Sequence, residues 1–224
     1  MRTSKSKIGK WLLAGLGLCA AGILSPASAA GLSRDDAREC YLATLKNASS
    51  ETDRAGLRAC GAALEAADDS DARAGLLANR AYIRLRMTDY RGTVADADAS
   101  LSLAPDLAAA NLNRGAGLIG MGRYRDALPP LEKAVALSSG DKLELAYYNR
   151  GIAREHLGDI NGAYFDYKKA AELDPKFASA QEQLARFTVT PWSGPGRPLK
   201  PPWPIKNRSI NLQTSSRTSS YNIG

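Results

Sequence analysis

The chain has 224 residues, 44% of them hydrophobic and 7% aromatic, and a formal charge of +7. Arg2, Lys5, Lys7 and Lys10 supply +4 of that charge, and Arg197, Lys200, Lys206, Arg208 and Arg217 supply +5 with no acid between residues 188 and 224. Subtracting both ends leaves about −2 for residues 30–187, so the positive field sits on the ends and not on a folded surface, which argues against a nucleic-acid partner.

The first 29 residues read as an export signal. A basic start is followed by the apolar run Trp11–Leu24 and then by Ala27-Ser28-Ala29, small residues at the positions a signal peptidase reads. The run of about 14 residues is short of the roughly 20 that span a bilayer. Cleavage is expected after Ala29. Cys19 raises lipidation, but Leu18 stands where a small residue is wanted. The remaining cysteines, Cys40 and Cys60, are an even count in an exported chain, compatible with one disulfide or with two small buried thiols.

Ser33 to Asp36 suits a helix start, with Ser33 as cap and Asp35 and Asp36 at the positive end of the dipole. Ala37, Tyr41 and Leu45 follow at helical spacing. Asn47 to Thr52 is turn-like, and a second helix is expected over about 53–67, with Leu57, Cys60, Ala63 and Leu64 on one face. Asp68-Asp69-Ser70-Asp71 breaks it and opens the next. Residues 30–73 therefore read as a helical hairpin. Cys40 and Cys60 lie about equally far from its turn, at similar heights on antiparallel helices.

Three tripeptides then set a register: Asn79-Arg80-Ala81, Asn113-Arg114-Gly115 and Asn149-Arg150-Gly151, at steps of 34 and 36 residues. A period in the mid-thirties with helical patterning signals a solenoid of helix pairs. Turns are expected at Thr88-Asp89-Tyr90, Gly122-Arg123-Tyr124 and Gly158-Asp159-Ile160. Ala104-Pro105 and Asp174-Pro175 stop the first and third units, because a residue before proline leaves helix space. Ser138-Ser139-Gly140 stops the second. The units are 74–107, 108–143 and 144–177. Pro129-Pro130 lies in the second unit's second helix, which should therefore begin near Asp126. A capping helix is expected over 178–187. Residues 188–224, rich in Pro, Ser and Thr, lack the apolar surface to offset ordering entropy and read as a basic disordered tail.

Residues 74–177 resemble the tetratricopeptide repeat family. The resemblance rests on small residues where two helices cross (Ala81, Gly115, Gly151; Thr93, Ala127, Ala163; Ser100, Ala134, Ala170) and on large apolar ones at Tyr90, Tyr124, Ile160, Leu103, Leu137 and Leu173. It implies an all-α fold, a right-handed solenoid of antiparallel helix pairs: three repeats on a degenerate N-terminal hairpin, closed by the capping helix. Two departures stand out. Ala97 replaces the large residue that Leu131 and Tyr167 keep. Arg80, Arg114 and Arg150 occupy a usually apolar position, and Asp96 and Asp166 match each other on the second helices while Pro130 takes that place in the second unit. Pairs Arg80–Asp96 and Arg150–Asp166 are therefore expected to staple two helices of a unit.

No catalytic constellation emerges. His156 is the only histidine and reads as a solvent-exposed helical residue. One His and two cysteines do not make a zinc site, and no phosphate-binding glycine loop or serine elbow appears, so neither cofactor nor metal is expected. By the resemblance, the concave face is lined by Ala78, Tyr82, Leu85, Leu112, Ala116, Ile119, Tyr148, Ile152 and Glu155. Asn113 is kept from the family's carboxylate clamp, but Ala78, Tyr82 and Leu145 stand where its other partners should be. An apolar extended or helical peptide suits this row better, unless part of it is covered by the first hairpin or the chain's own tail. The expectation is an exported, non-enzymatic scaffold, with a bacterial periplasm as its compartment and a protein or peptide as its partner. The alternative is an envelope-associated structural protein that binds through its basic Pro/Trp tail.

Overall fold

The computed structural model describes residues 34–46, 49–138, 140, 142–189 and 205–207. The expected signal segment and most of the expected tail lie outside the described residues. The described residues form helices almost throughout, in two compact units that divide between Ala110 and Asn111.

The first unit is built from α1 (Arg34–Leu45), α2 (Ser50–Ala66), α3 (Ser70–Arg86) and α4 (Tyr90–Leu103). Helix α2 starts three residues earlier than the turn-like sequence implied. Ser49 and Thr52 close a reciprocal capping box, each side chain bonding the other's backbone N–H, so the polar cluster is the helix start and not a loop. The acidic run after α2 behaves as expected: Asp69 caps α3 by accepting from the Ala72 N–H at 2.8 Å. Arg73, one turn into α3, donates to the Leu64 and Ala67 carbonyls at 2.8 and 3.0 Å and so closes the end of α2. A core cluster of this unit joins α1, α2 and α3 through Cys40, Ala43, Cys60, Ala63, Leu77 and Ile83. Cys40 and Cys60 are fully buried, with Cα atoms 4.7 Å apart and sulfurs at bonding distance.

The second unit holds most of α5 (Ala108–Gly120), then α6 (Tyr124–Leu137), α7 (Leu143–His156), α8 (Ile160–Leu173) and α9 (Ala178–Ala185). Helix α6 does not wait for Asp126. It starts at Tyr124 and contains both prolines. The left-handed turn at Gly122 (φ 73°) and the Ala127 N–H to Arg123 carbonyl bond set its first turn. The prolines then fall in the second turn, where they deprive the carbonyls of Arg125 and Asp126 of their helical partners. Pro130 is buried, and that packing offsets part of the loss. After α9 the chain is a strand. β1 (Phe187–Val189) pairs antiparallel with β2 (Ile205–Asn207), Thr188 opposite Lys206. The expected disordered tail is thus corrected at these residues. Phe187 anchors the ribbon with its ring 5.8 Å from Tyr164 and 5.9 Å from Tyr167.

The internal turns share one backbone device. Thr88, Gly122 and Gly158 all have positive φ, at 60°, 73° and 84°, a region a β-branched residue occupies at a cost. The crossing points also repeat. A Cβ added at Gly115 would lie 2.4 Å from Leu131 Cγ, and one at Gly151 would lie 2.8 Å from Tyr167 Cε1. At the equivalent positions of the first pair stand Ala81 and Ala97, both fully buried. One methyl more on the first helix goes with a much smaller side chain on the second, which accounts for the departure at Ala97.

Gly151→Ala should therefore lower stability. Overpacking costs about 1–3 kcal/mol, which exceeds the roughly 1 kcal/mol gained by replacing glycine in a helix. Gly75→Ala, with open space around the added Cβ, should gain about 1 kcal/mol. Urea midpoints of the two variants, moving in opposite directions, check this.

Candidate interaction site

The expected staples are present and bidentate. Arg80 Nε and Nη2 donate to Asp96 at 2.8 and 2.6 Å, and Arg150 Nε and Nη2 donate to Asp166 at 2.9 and 2.7 Å. Each carboxylate is nearly buried, with 5% and 4% of the side chain exposed. The hydrogen bond to the carboxylate raises the pKa of each arginine further, against the opposing effect of burial. Each aspartate also holds a second arginine one turn along the first helix: Arg84 at 3.1 Å and Arg154 at 2.9 Å. Those arginines in turn lie 3.8 Å from the capping carboxylates Asp89 and Asp159. The second repeat replaces this set. Leu118 stands at the second-arginine position and Pro130 at the aspartate position, both buried.

Sequence reasoning missed the second arginines, although Arg84 and Arg154 recur at one register position and Asp89 and Asp159 at another. It also missed a staple between the first hairpin and α3. Arg86, at the end of α3, pairs with buried Asp53 of α2 and donates to the Ala43 and Lys46 carbonyls at 2.8 and 2.9 Å. This contact spans more than thirty residues and has no counterpart in the other units, so no periodicity announces it.

The row assigned to a concave groove is mostly interior. Ala78 and Leu85 in the first unit are buried, and so are Leu112, Asn113, Ala116 and Ile119 in the second. Tyr82 is the exception: half-buried, with the Arg86 guanidinium 5.2 Å from its ring centre. Tyr148, Ile152 and Glu155 are buried as well. Phe177 lies 4.9 Å from the Tyr148 ring, Ser179 and Gln183 reach the Tyr148 hydroxyl, and Arg186 pairs with Glu155. Tyr167 donates to the other oxygen of Glu155 at 2.8 Å. Burial pushes the Tyr148 and Tyr167 hydroxyls above the usual tyrosine range. The expected free surface is thus corrected in the third repeat by the chain's own C-terminal segment. With both carboxylate oxygens engaged, Glu155 is a structural acceptor here.

His156 is exposed, as expected, but not isolated. Its ring stacks on Tyr124, centroids 3.9 Å apart and planes 2° from parallel. Among the described residues no group of three or more His, Cys, Asp or Glu is placed to hold a metal.

Residues 145–177, which span α7 and α8, match the family model described as tetratricopeptide repeat. This segment is similar to a tetratricopeptide repeat. The fold is accordingly an all-α repeat solenoid, similar to that of MamA from Desulfovibrio magneticus RS-1, with a TM-score of 0.53 and 25% identity over 67% of this chain and 82% of that one. Among curated proteins, the chain is 35% identical over 129 residues to the SGT1 homolog of Oryza sativa subsp. japonica, covering 57% of this chain and 35% of that protein. It is 29% identical over 124 residues to unc-45 homolog B of Mus musculus, covering 54% of this chain and 13% of that protein. The matches therefore take in a small part of the curated relatives. Likeness to these repeat proteins supports a protein-interaction scaffold.

His156 supplies a pH prediction. Burial, here one ring face against Tyr124, lowers its pKa below 6.5; Glu155 works against this and Arg186 adds to it. A histidine whose folded pKa is depressed contributes stability that is present above the unfolded value and lost as pH falls through the folded one. Acidification from about pH 7 to 5 should therefore destabilise the parent more than a His156→Gln variant. NMR titration should place the His156 midpoint below that of a model histidine, about 6.5.

Proposed function

We propose that the protein is an exported, non-catalytic adaptor that presents a rigid helical-repeat surface to a protein or peptide partner. The observation that carries this reading is the repetition of one internally stapled helix pair, with Tyr82 left accessible on the first-helix face of the first repeat. Rigid pre-organisation limits the entropy lost on binding, and a half-buried tyrosine supplies contact area at low conformational cost. The buried Cys40–Cys60 pair supports folding in an oxidising compartment, where a bond closing a loop of about 20 residues would stabilise the first hairpin by about 3 kcal/mol on the entropic model. Together with the basic-apolar start and Ala27-Ser28-Ala29, this favours a bacterial periplasm. A second reading, attachment to an anionic envelope surface through the tail, is favoured by five cations without an acid between residues 188 and 224.

Expression of the full chain in a bacterium tests export. Non-reducing mass spectrometry of the periplasmic fraction should find a mature chain that begins at Ala30 with the Cys40 and Cys60 peptides linked. A retained leader or two free thiols would contradict it. A photo-crosslinking residue in place of Tyr82 should yield a discrete adduct that the same residue at exposed Ala99 does not. Equal labelling at the two positions counts against the first-helix face.

A further inference from the structure

The face of α7 at the third repeat is occupied by the chain itself, and the manner of occupation is informative. Tyr148, Ile152 and Glu155 are spaced one turn apart on α7 and are buried. The segment above them is half-buried or exposed over most of its length and is anchored at its far end by buried Phe187, which packs on Tyr164 and Tyr167. Ala180 is the buried residue of α9, while Phe177, Ser179, Gln183 and Arg186 are half-buried. Its attachments to α7 include a tilted ring contact, two polar side chains at the Tyr148 hydroxyl and an ion pair. Segments with few buried contacts open at lower free energy than the core beneath them.

We propose that residues 177–186 are a displaceable strap hinged at the anchored Phe187, and that the partner fitting the face beneath it is a peptide carrying an aromatic side chain, a hydrogen-bonding polar side chain and a cation at the strap's spacing. This rests on the reading that first-helix faces bind proteins. The chemistry of the occupant follows from the chemistry of the seat. Glu155 is a buried carboxylate, and uncovering or covering it without a cation leaves a charge in a poor environment. A replacement for the strap must therefore bring a basic group to the place of Arg186. The residues at the register position of Glu155 in the first two repeats are Leu85 and Ile119, so this charge requirement is peculiar to the strapped face. The Tyr148 hydroxyl asks for a hydrogen-bonding side chain, as Ser179 and Gln183 provide, and its ring asks for an aromatic, as Phe177 provides. Closure by the strap reduces the apparent affinity of any such peptide by the fraction of time the face is open.

The test uses the full chain and a fluorescent peptide of residues 175–189, read by anisotropy. An Arg186→Gln chain, whose strap is weakened, should bind the peptide at least about ten-fold more tightly than the parent. Adding Glu155→Gln to that chain should reverse the gain, and a peptide with Glu in place of its Arg should bind at least about ten-fold more weakly. In the parent, amides of residues 178–186 should exchange at least about ten-fold faster than those of 146–155. Equal affinity of parent and Arg186→Gln, absence of binding to both, equal exchange of the two segments, or loss of helical circular dichroism in Arg186→Gln would each overturn the proposal and leave α9 a scaffold element. Crosslinking at Tyr82 is independent of the strap, so its success alongside failure here would remove this inference alone.

Discussion

The bidentate arginine–aspartate pair between two helices of a repeat is the interaction on which the geometry of the first and third repeats depends. A guanidinium presents two parallel N–H groups in a fixed plane, so the pair sets both distance and orientation between helices. Because Asp96 and Asp166 are nearly buried, loss of Arg80 or Arg150 would leave the carboxylate only its second partner, Arg84 or Arg154, and its bidentate bond unmade. The crossing residues act with it. Where Gly151 lets the Tyr167 ring approach, the helices come close enough for Arg150 to reach Asp166 across the pair. The second repeat meets the same need by other means. Leu118 and Pro130 take the positions of an arginine and an aspartate, and Leu131 fills the space over Gly115. Buried ion pairs and well-packed apolar residues are often nearly interchangeable in stability, which allows both solutions within one chain.

The fate of the first-helix row separates scaffold from surface. Apolar residues at one-turn spacing on a first helix describe a groove and a helix–helix contact equally well, since both ask for the same stripe. In this chain burial resolves most of the row as contact, and Tyr82 remains half-buried. The third repeat adds a distinct feature. Its stripe includes Glu155, and the chain supplies Arg186 to meet it. A purely apolar cap would close the end of an array without any such pairing.

Much of this was legible in the chain, and the reason is locality. Helix pairs, their turns, the crossing glycines and the Arg–Asp staples recur at a fixed step, so each could be checked against its copies. What recurs can also be overlooked, as Arg84 and Arg154 were. Other features depend on contacts that no local pattern carries. The Arg86–Asp53 pair joins α3 to α2 of the first hairpin, and the pairing of Phe187–Val189 with Ile205–Asn207 is not part of the repeat. The rule for proline alone puts the start of α6 near Asp126, while the turn at Gly122 and the bond from the Ala127 N–H to the Arg123 carbonyl start the helix at Tyr124. The groove residues were placed on the right helices, but a stripe read from sequence does not say what lies against it.

The central claim, that the staple holds the helix pair by a coupled interaction and not by two independent side chains, is tested most directly by a double-mutant cycle. Urea unfolding would be measured for Arg150→Met, Asp166→Leu and the double variant. The account predicts that Asp166→Leu, which removes the carboxylate that two arginines share, costs about 3 kcal/mol, that Arg150→Met, which leaves Arg154 on the carboxylate, costs less, and that the double variant loses at least about 1 kcal/mol less than the sum, as expected for directly coupled partners. Losses that add to within about 0.5 kcal/mol would contradict it.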